Sequence, residues 1–287
     1  VSLSATPVWE NRYRTTGDNS DRFEAVAPAE SGNLVAVGYT VKEGNYKDFL
    51  VVKLNPNGDT LWARTKNGPG LGNDEAYLVA VDVLNNIYVA GYVEGINTED
   101  DIYLLKYDAS GNLLWSVAWD NSSASLDDYP TDMVLDGSGN IYICGNTEPD
   151  IIPGSSDFIT LKYSPSGSLL WQSIYSRPGV FGGKDEATAI AVDALGDAYI
   201  CGRSSNGIDD DFATLKYAAA TGTAMWSTPA IYNGNFGDDR AADLVLDPLG
   251  AFVTVTGRSE NASGDDDVRT IKYTTTGLFQ WTRAYNS

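Results

Sequence analysis

Residues 74–115 read DEAYLVAVDVLNNIYVAGYVEGINTEDDIYLLKYDASGNLLW, and residues 185–226 read DEATAIAVDALGDAYICGRSSNGIDDDFATLKYAAATGTAMW. Laid over one another, they share an opening Asp, two apolar runs, a Gly after the second run, an Asp five residues before a Lys, and a closing Trp. Working outward, Trp62, Trp115, Trp171, Trp226 and Trp281 are separated by 53, 56, 55 and 55 residues, and Trp9 lies 53 before Trp62. Five units fit, opening at Asp21, Asp74, Asp128, Asp185 and Asp239. A fixed period of this size marks a tandem-repeat architecture.

Each unit carries four strand signals, here a to d. Strand a is apolar, and a short turn such as Ser138-Gly139-Asn140 leads into strand b, which ends at Gly38, Gly91, Gly145, Gly202 or Gly257. A longer polar loop leads to strand c, and a Gly turn (Gly58, Gly111, Gly167, Gly222, Gly277) to strand d with its Trp. Four short antiparallel strands per repeat describe a propeller blade. The expected fold is all-β, a five-bladed β-propeller of four-stranded antiparallel blades plus one extra N-terminal strand. A single domain spans 1–287, with an extra strand and connection in 1–20 and repeats near 21–67, 68–121, 122–177, 178–233 and 234–287. The extra strand, Val8 to Arg14, either closes its own ring or pairs with another copy by strand addition.

The pattern D-x-A…VD…G-N-x-Y-x-x-G…D-F-x-x-x-K-Y…G-x-x-x-W resembles the bacterial SBBP β-propeller repeat and runs from Asp21 to Trp281. The first unit departs most, with Ala29 where the others have Asp82, Asp136, Asp193 and Asp247. The resemblance implies a secreted or cell-surface protein of the Bacteroidota type. It leaves the activity open, because propellers host many functions.

Composition removes several classes of function. With 39 acidic against 19 basic residues and a net charge of −20, nucleic acid and anionic membranes are disfavoured partners. No apolar run is long enough to span a bilayer as a helix. The absence of His removes His-based triads and zinc sites. Cys144 and Cys201, at one strand b position in adjacent units, read as buried free thiols.

Residues present in every unit serve what every unit shares. The recurring residues Asp48 and Lys53, Asp101 and Lys106, Asp157 and Lys162, Asp211 and Lys216, Asp267 and Lys272 are therefore expected to latch blades together, each Lys bonding an Asp of its own or an adjacent blade. The repeated Trp is expected to anchor blade to blade. Asn121 and Asn261 begin N-glycosylation patterns, and Asp59-Thr60-Leu61 resembles the Bacteroidota O-glycosylation motif.

Function is then expected where the units differ. The b–c loops and d–a connections are longer and share one end of the blades, which makes that end the candidate contact face. Trp119, Ile151, Ile152, Phe181 and Phe236 are its candidate apolar contacts. Asp100, Asp101, Asp209, Asp210, Asp211, Asp265, Asp266 and Asp267 are candidate Ca2+ ligands, since calcium takes six to eight oxygens. Glu24, Asp132 and Asp243 are strand a acids that other units lack, the candidates for a carboxylate pair in a glycosidase. The leading reading is a non-enzymatic extracellular interaction or structural module, a subunit of a surface assembly. The alternatives are a carbohydrate-binding propeller and a glycoside hydrolase.

Overall fold

The structure, a computed structural model, describes residues 20–41, 46–70, 72–96, 99–121, 126–149, 154–180, 182–234 and 237–285. The strand expected from Val8 to Arg14 lies outside them. The described residues form five four-stranded antiparallel sheets, each in sequential order. Blade 1 holds β1 (Asp21–Pro28), β2 (Leu34–Val41), β3 (Lys47–Leu54) and β4 (Thr60–Lys66). Blade 2 holds β5 (Asp74–Val81), β6 (Ile87–Glu94), β7 (Asp100–Tyr107) and β8 (Leu113–Trp119). Blade 3 holds β9 (Asp128–Leu135), β10 (Ile141–Thr147), β11 (Asp157–Tyr163) and β12 (Leu169–Tyr175). Blade 4 holds β13 (Asp185–Val192), β14 (Ala198–Ser205), β15 (Asp210–Tyr217) and β16 (Ala230–Tyr232). Blade 5 holds β17 (Asp239–Leu246), β18 (Phe252–Glu260), β19 (Asp266–Thr274) and β20 (Phe279–Tyr285). Blades 1 and 2 fall in one compact unit, Val1–Trp119, and blades 3 to 5 in a second, Asp120–Ser287.

Blades join through apolar side chains on both sheet faces. In the first unit Val35, Val37, Phe49 and Val51 of blade 1 pack with Ala76, Ile87 and Leu105 of blade 2. In the second, Tyr142, Phe158 and Trp171 of blade 3 meet Ile190, Ile200 and Leu215 of blade 4. The other face of blade 4, with Tyr199, Phe212 and Trp226, meets Leu244, Val255 and Ile271 of blade 5. Burial on both faces explains why the b and c strands read as continuous apolar runs rather than alternating ones. Cys144 and Cys201 are free and buried within these joints. Burial raises both thiols, Cys201 to about 12, which leaves them protonated and unreactive.

The glycine in each strand b does not end the strand, which continues two or three residues further. Opposite it, strand a bulges: the ladder skips a residue between Phe23 and Ala25, Ala76 and Leu78, Ala187 and Ala189, and Ala241 and Asp243. The bulge pushes a strand a carbonyl onto the glycine. A Cβ on Gly38, Gly91, Gly202 or Gly257 would lie 1.9, 1.9, 2.0 or 2.1 Å from the oxygen of Arg22, Glu75, Glu186 or Arg240. Only glycine fits beneath such a bulge.

Each tryptophan caps the next blade where both lie in one unit. The indole N–H of Trp62 donates to Ala109 O at 3.2 Å, Trp171 to Ala219 O at 3.0 Å, and Trp226 to Thr275 O at 3.2 Å. The next blade's c–d turn reaches left-handed backbone at a glycine lying flat on that indole. A Cβ at Gly111, Gly222 or Gly277 would approach the Trp62, Trp171 or Trp226 ring to 2.8, 2.6 or 2.9 Å.

Lys53, Lys106, Lys162 and Lys216 are buried and Lys272 half-buried, and each lies at the far end of strand c from the Asp that opens it. Five residues of extended chain, about 16 Å, put the two at opposite ends of the strand. Lys106, Lys162, Lys216 and Lys272 lie instead over the strand b rings of Tyr88, Tyr142, Tyr199 and Phe252, at 4.8, 4.7, 4.8 and 3.9 Å from the centroids. Their anionic neighbours are a–b turn acids: Lys216 Nζ is 3.0 Å from Asp197 and 3.7 Å from Asp193. Blade 1 has Ala29 in place of the turn Asp, and there Lys53 donates to Glu30 at 2.6 Å and to Ala109 O of blade 2 at 2.9 Å. Lys162 reaches Ala219 O of blade 4 at 2.7 Å. The latch thus joins strand c to turns, its own and the next blade's.

Blade 4 breaks the pattern at strand d. Its Trp226 precedes β16, which pairs with β15 only from Phe212 to Thr214. Six residues separate Trp226 from Tyr232, against four between Trp171 and Tyr175, and Pro229 among them has no N–H to give the ladder.

Candidate functional site

Antiparallel order puts the b–c loops and d–a connections at one end of every blade. The Asp opening strand a is consumed there by structure. Asp74 accepts from Gly68 N at 2.6 Å, Asp128 from Asn121 N at 2.9 Å and Asp185 from Arg177 N at 2.7 Å, while Gly234 N donates to Asp239. These carboxylates fasten the chain entering from strand d. Burial raises Asp74 to about 6, with the Gly68 hydrogen bond opposing and the Asp48 charge adding to the rise. Burial likewise raises Asp157, Asp185 and Asp239, and each sits near a carboxylate or an arginine of the joint.

In the second unit this end of blades 4 and 5 carries a depression of about 380 Å³ lined by Arg203, Arg240, Ser205, Asp209, Asp210, Asp238 and the glycines 182, 183 and 207. Arg203 follows the strand b glycine of blade 4, where blades 1 to 3 have Tyr39, Tyr92 and Asn146. Its cross-strand neighbour is Glu186, and the pair meets through Nε to Oε2 at 2.8 Å and Nη2 to Oε1 at 2.6 Å. Arg203 Nη1 also donates to Asp210 Oδ2 at 2.6 Å. That oxygen lies 3.1 Å from Nε of Arg240 on the first strand of blade 5, and Arg240 Nη2 donates to Asp238 Oδ2 at 2.7 Å. Asp238 Oδ1 accepts the backbone N–H of Asp210 at 3.1 Å, which closes the circuit. Burial works against the charge on Arg203, but Glu186 and Asp210 outweigh it and hold the guanidinium on. Asp238 is lowered, its burial overcome by the Asp210 N–H and Arg240.

The candidate calcium ligands are largely occupied by nitrogen donors. Asp210 serves Arg203 and Arg240, Asp211 accepts from Arg177 at 2.5 Å, and Asp266 pairs with Arg258. Asp267 accepts from Asn261 at 3.1 Å, and Asn206 donates to Asp209. Asn261 also caps its own loop, accepting from Ser263 N at 2.8 Å and from Asp265 N at 3.2 Å. Asp101 is buried and Asp100 half-buried at the start of β7. Calcium would have to compete with these cations and amides for the oxygens of Asp209, Asp210, Asp211, Asp266 and Asp267.

The apolar candidates fare differently from expectation. Trp119 is buried, 6% exposed, opposite Ile102 at the end of β8, so it is core and offers no platform. Ile151, Ile152, Phe181 and Phe236 lie outside the described residues. The strand a acids are tied down as well. Glu24 pairs with Arg22 at 2.8 Å. Asp132 accepts from Met133 N at 2.8 Å and, across the joint, from Ile190 N at 2.9 Å; Asp243 accepts from Leu244 N at 2.7 Å. Burial raises Asp132, and the Asp243 charge adds to it, while the two amides oppose the rise. Asp132 thus ties blade 3 to blade 4 with both of its oxygens engaged.

The arginines escaped the sequence reading because the differences between units that stand out in one dimension are loop tips and the strand a acids Glu24, Asp132 and Asp243. The signal lay inside the strands, in the columns Tyr39, Tyr92, Asn146, Arg203, Arg258 and Arg22, Glu75, Tyr129, Glu186, Arg240.

Five consecutive four-stranded antiparallel sheets, joined through buried faces in each unit, define a five-bladed β-propeller. Residues 123–151 match the SBBP β-propeller repeat, and residues 30–60 match a β-propeller domain of unknown function, DUF5122. No curated protein matches the chain. A protein of unknown function from Bacteroides caccae is similar in structure, at TM-score 0.50 and 14% identity, covering 97% of this chain and 85% of that one. A PL25 polysaccharide lyase, an ulvanlyase, is similar at TM-score 0.51 and 10% identity, covering 86% of this chain and 63% of the lyase. At such identities the likeness is one of fold. Among the described residues no helix is long and apolar enough to cross a membrane.

Proposed function

We propose that the protein is a non-enzymatic binding module of an extracellular or cell-surface protein, and that it contacts its partner through the loop end of blades 4 and 5. One observation carries this reading. The residues common to all units are committed to bulges, turns and joints, whereas the Arg203–Asp210–Arg240–Asp238 circuit is particular to two blades and borders an open depression. Paired guanidinium and carboxylate groups with no activated nucleophile suit recognition rather than bond cleavage. The structural kinship with a polysaccharide lyase adds a carbohydrate to the partners worth testing, and nothing about its chemistry.

The test presents glycans and peptides to the immobilised chain in three forms: unaltered, Ile208→Asp with Arg240→Glu at the loop end, and Leu195→Asp with Leu249→Asp at the opposite end. Loss of binding in the loop-end variant alone supports the proposal. Loss only in the opposite-end variant, or release of cleaved product from any glycan, overturns it.

A further inference from the structure

We infer that the depression between blades 4 and 5 takes a neutral polyhydroxylated ligand, a glycan segment without charged substituents, held by Arg240, Arg203, Asp210 and Asp238. This rests on the binding-module reading above and names the ligand class it leaves open.

Charge decides the class first. An anionic ligand would enter against Asp209, Asp210, Asp238 and Glu186 on a chain of net charge −20. A cationic ligand would have to displace guanidinium groups already seated on Glu186, Asp210 and Asp238 at 2.6–3.1 Å. A hydroxyl needs neither, because it donates and accepts at once and so adds to a donor–acceptor circuit without disturbing its charge.

The circuit also leaves capacity for such a ligand. Arg240 Nε approaches Asp210 at 3.1 Å but has no aligned hydrogen bond, although that nitrogen is shielded from bulk solvent. Arg240 itself is 36% exposed and lines the depression. The guanidinium and carboxylate groups that line the depression offer hydroxyls both donors and acceptors. Glycines 182, 183 and 207 line the wall together with the apolar side chains of Val180 and Ile208, which a sugar ring can pack against. Arg203 is held from two sides by Glu186 and Asp210, so it is already oriented before a ligand arrives.

The experiment is calorimetry with the full chain and soluble oligosaccharides, neutral, uronate-bearing and sulfated, together with basic peptides, each with and without calcium. Neutral oligosaccharides are expected to bind in either condition. Arg240→Ala is expected to weaken them about tenfold, the loss of one charge-assisted hydrogen bond. Ser205→Trp, which fills the depression, is expected to abolish binding, and Leu249→Ser at the far end to leave it unchanged; melting curves confirm that each variant folds. If only charged ligands bind and Ser205→Trp blocks them, the ligand class is wrong while the binding surface stands. Strict dependence on calcium also overturns the inference. Neutral binding that survives Ser205→Trp, or no ligand of any class, removes both readings.

Discussion

A single glycine shows how far one residue can be read. Gly202 stands in the pattern as a punctuation mark between strand b and its loop, and that is how its recurrence reads in one dimension. In three dimensions it lies inside the strand, under a bulge, with the Glu186 carbonyl 2.0 Å from where a Cβ would sit. The recurrence was legible and its cause was not, because a bulge on strand a leaves no local mark on strand b. Gly202→Ala is therefore expected to destabilise the protein by about 3 kcal/mol, the cost of forcing a backbone shift in a packed sheet. Urea denaturation measures it; a loss under about 0.5 kcal/mol would mean that the bulge relaxes freely. The repeated lysine carries a related lesson. Its burial and need for a partner followed from its recurrence, but the identity of the partner depends on which end of strand c it occupies. Glu30 replacing the missing turn Asp beside Lys53 is a compensation visible only once the turn is built.

At the scale of the element, the strands of the described residues follow the apolar runs and Gly turns, strand b running on past its glycine, and β16 is the departure. Trp226 keeps the repeat spacing, which hides the fact that the residues after it cannot pair. Ser227, Thr228 and Pro229 bow away from β15 and open a hollow of about 320 Å³ against Tyr175, Leu215 and Tyr217. Removing Thr228 and Pro229 restores the Trp171-to-Tyr175 spacing. The shortened chain is expected to extend the β15–β16 ladder, shorten a loop and melt a few degrees higher. A lower melting temperature would show that the bow supports the joint with blade 3. Elements also account for the missed site. Arg203 and Arg240 sit at ordinary strand positions with ordinary neighbours in sequence, and only antiparallel pairing with Glu186 and the approach of blade 5 make them a circuit.

At the scale of the whole molecule, acidity is distributed in two chemically distinct sets. Carboxylates at the joints, Asp74, Asp157, Asp185 and Asp239 with Asp132, are raised, in each case by burial first. Carboxylates in the a–b turns, Asp82 and Asp136, are lowered: burial opposes ionisation, but the Asn86 and Asn140 side chains and turn N–H groups outweigh it. The unfolded chain titrates both sets near about 4. A joint carboxyl with folded pKa near 6, such as Asp74, takes up its proton in the native state first, so its contribution is complete below about 4 and is lost as pH rises through 6. A turn carboxylate does the opposite, contributing above about 4 and failing as pH falls through its lowered value. The net charge of −20 adds repulsion that also eases on mild acidification. The protein is thus expected to melt highest near pH 5, lower at pH 8 and lower again below about pH 3.5. Asp74→Asn, which keeps an acceptor for Gly68 N–H but cannot ionise, is expected to raise stability at pH 8 by about 1–2 kcal/mol once solvent screening is allowed for, and to flatten the gain between pH 8 and 5. Melting curves across that range decide it: a wild-type optimum at pH 7–8, or an Asp74→Asn profile parallel to the wild type, would show that the joint carboxyls are ionised without penalty.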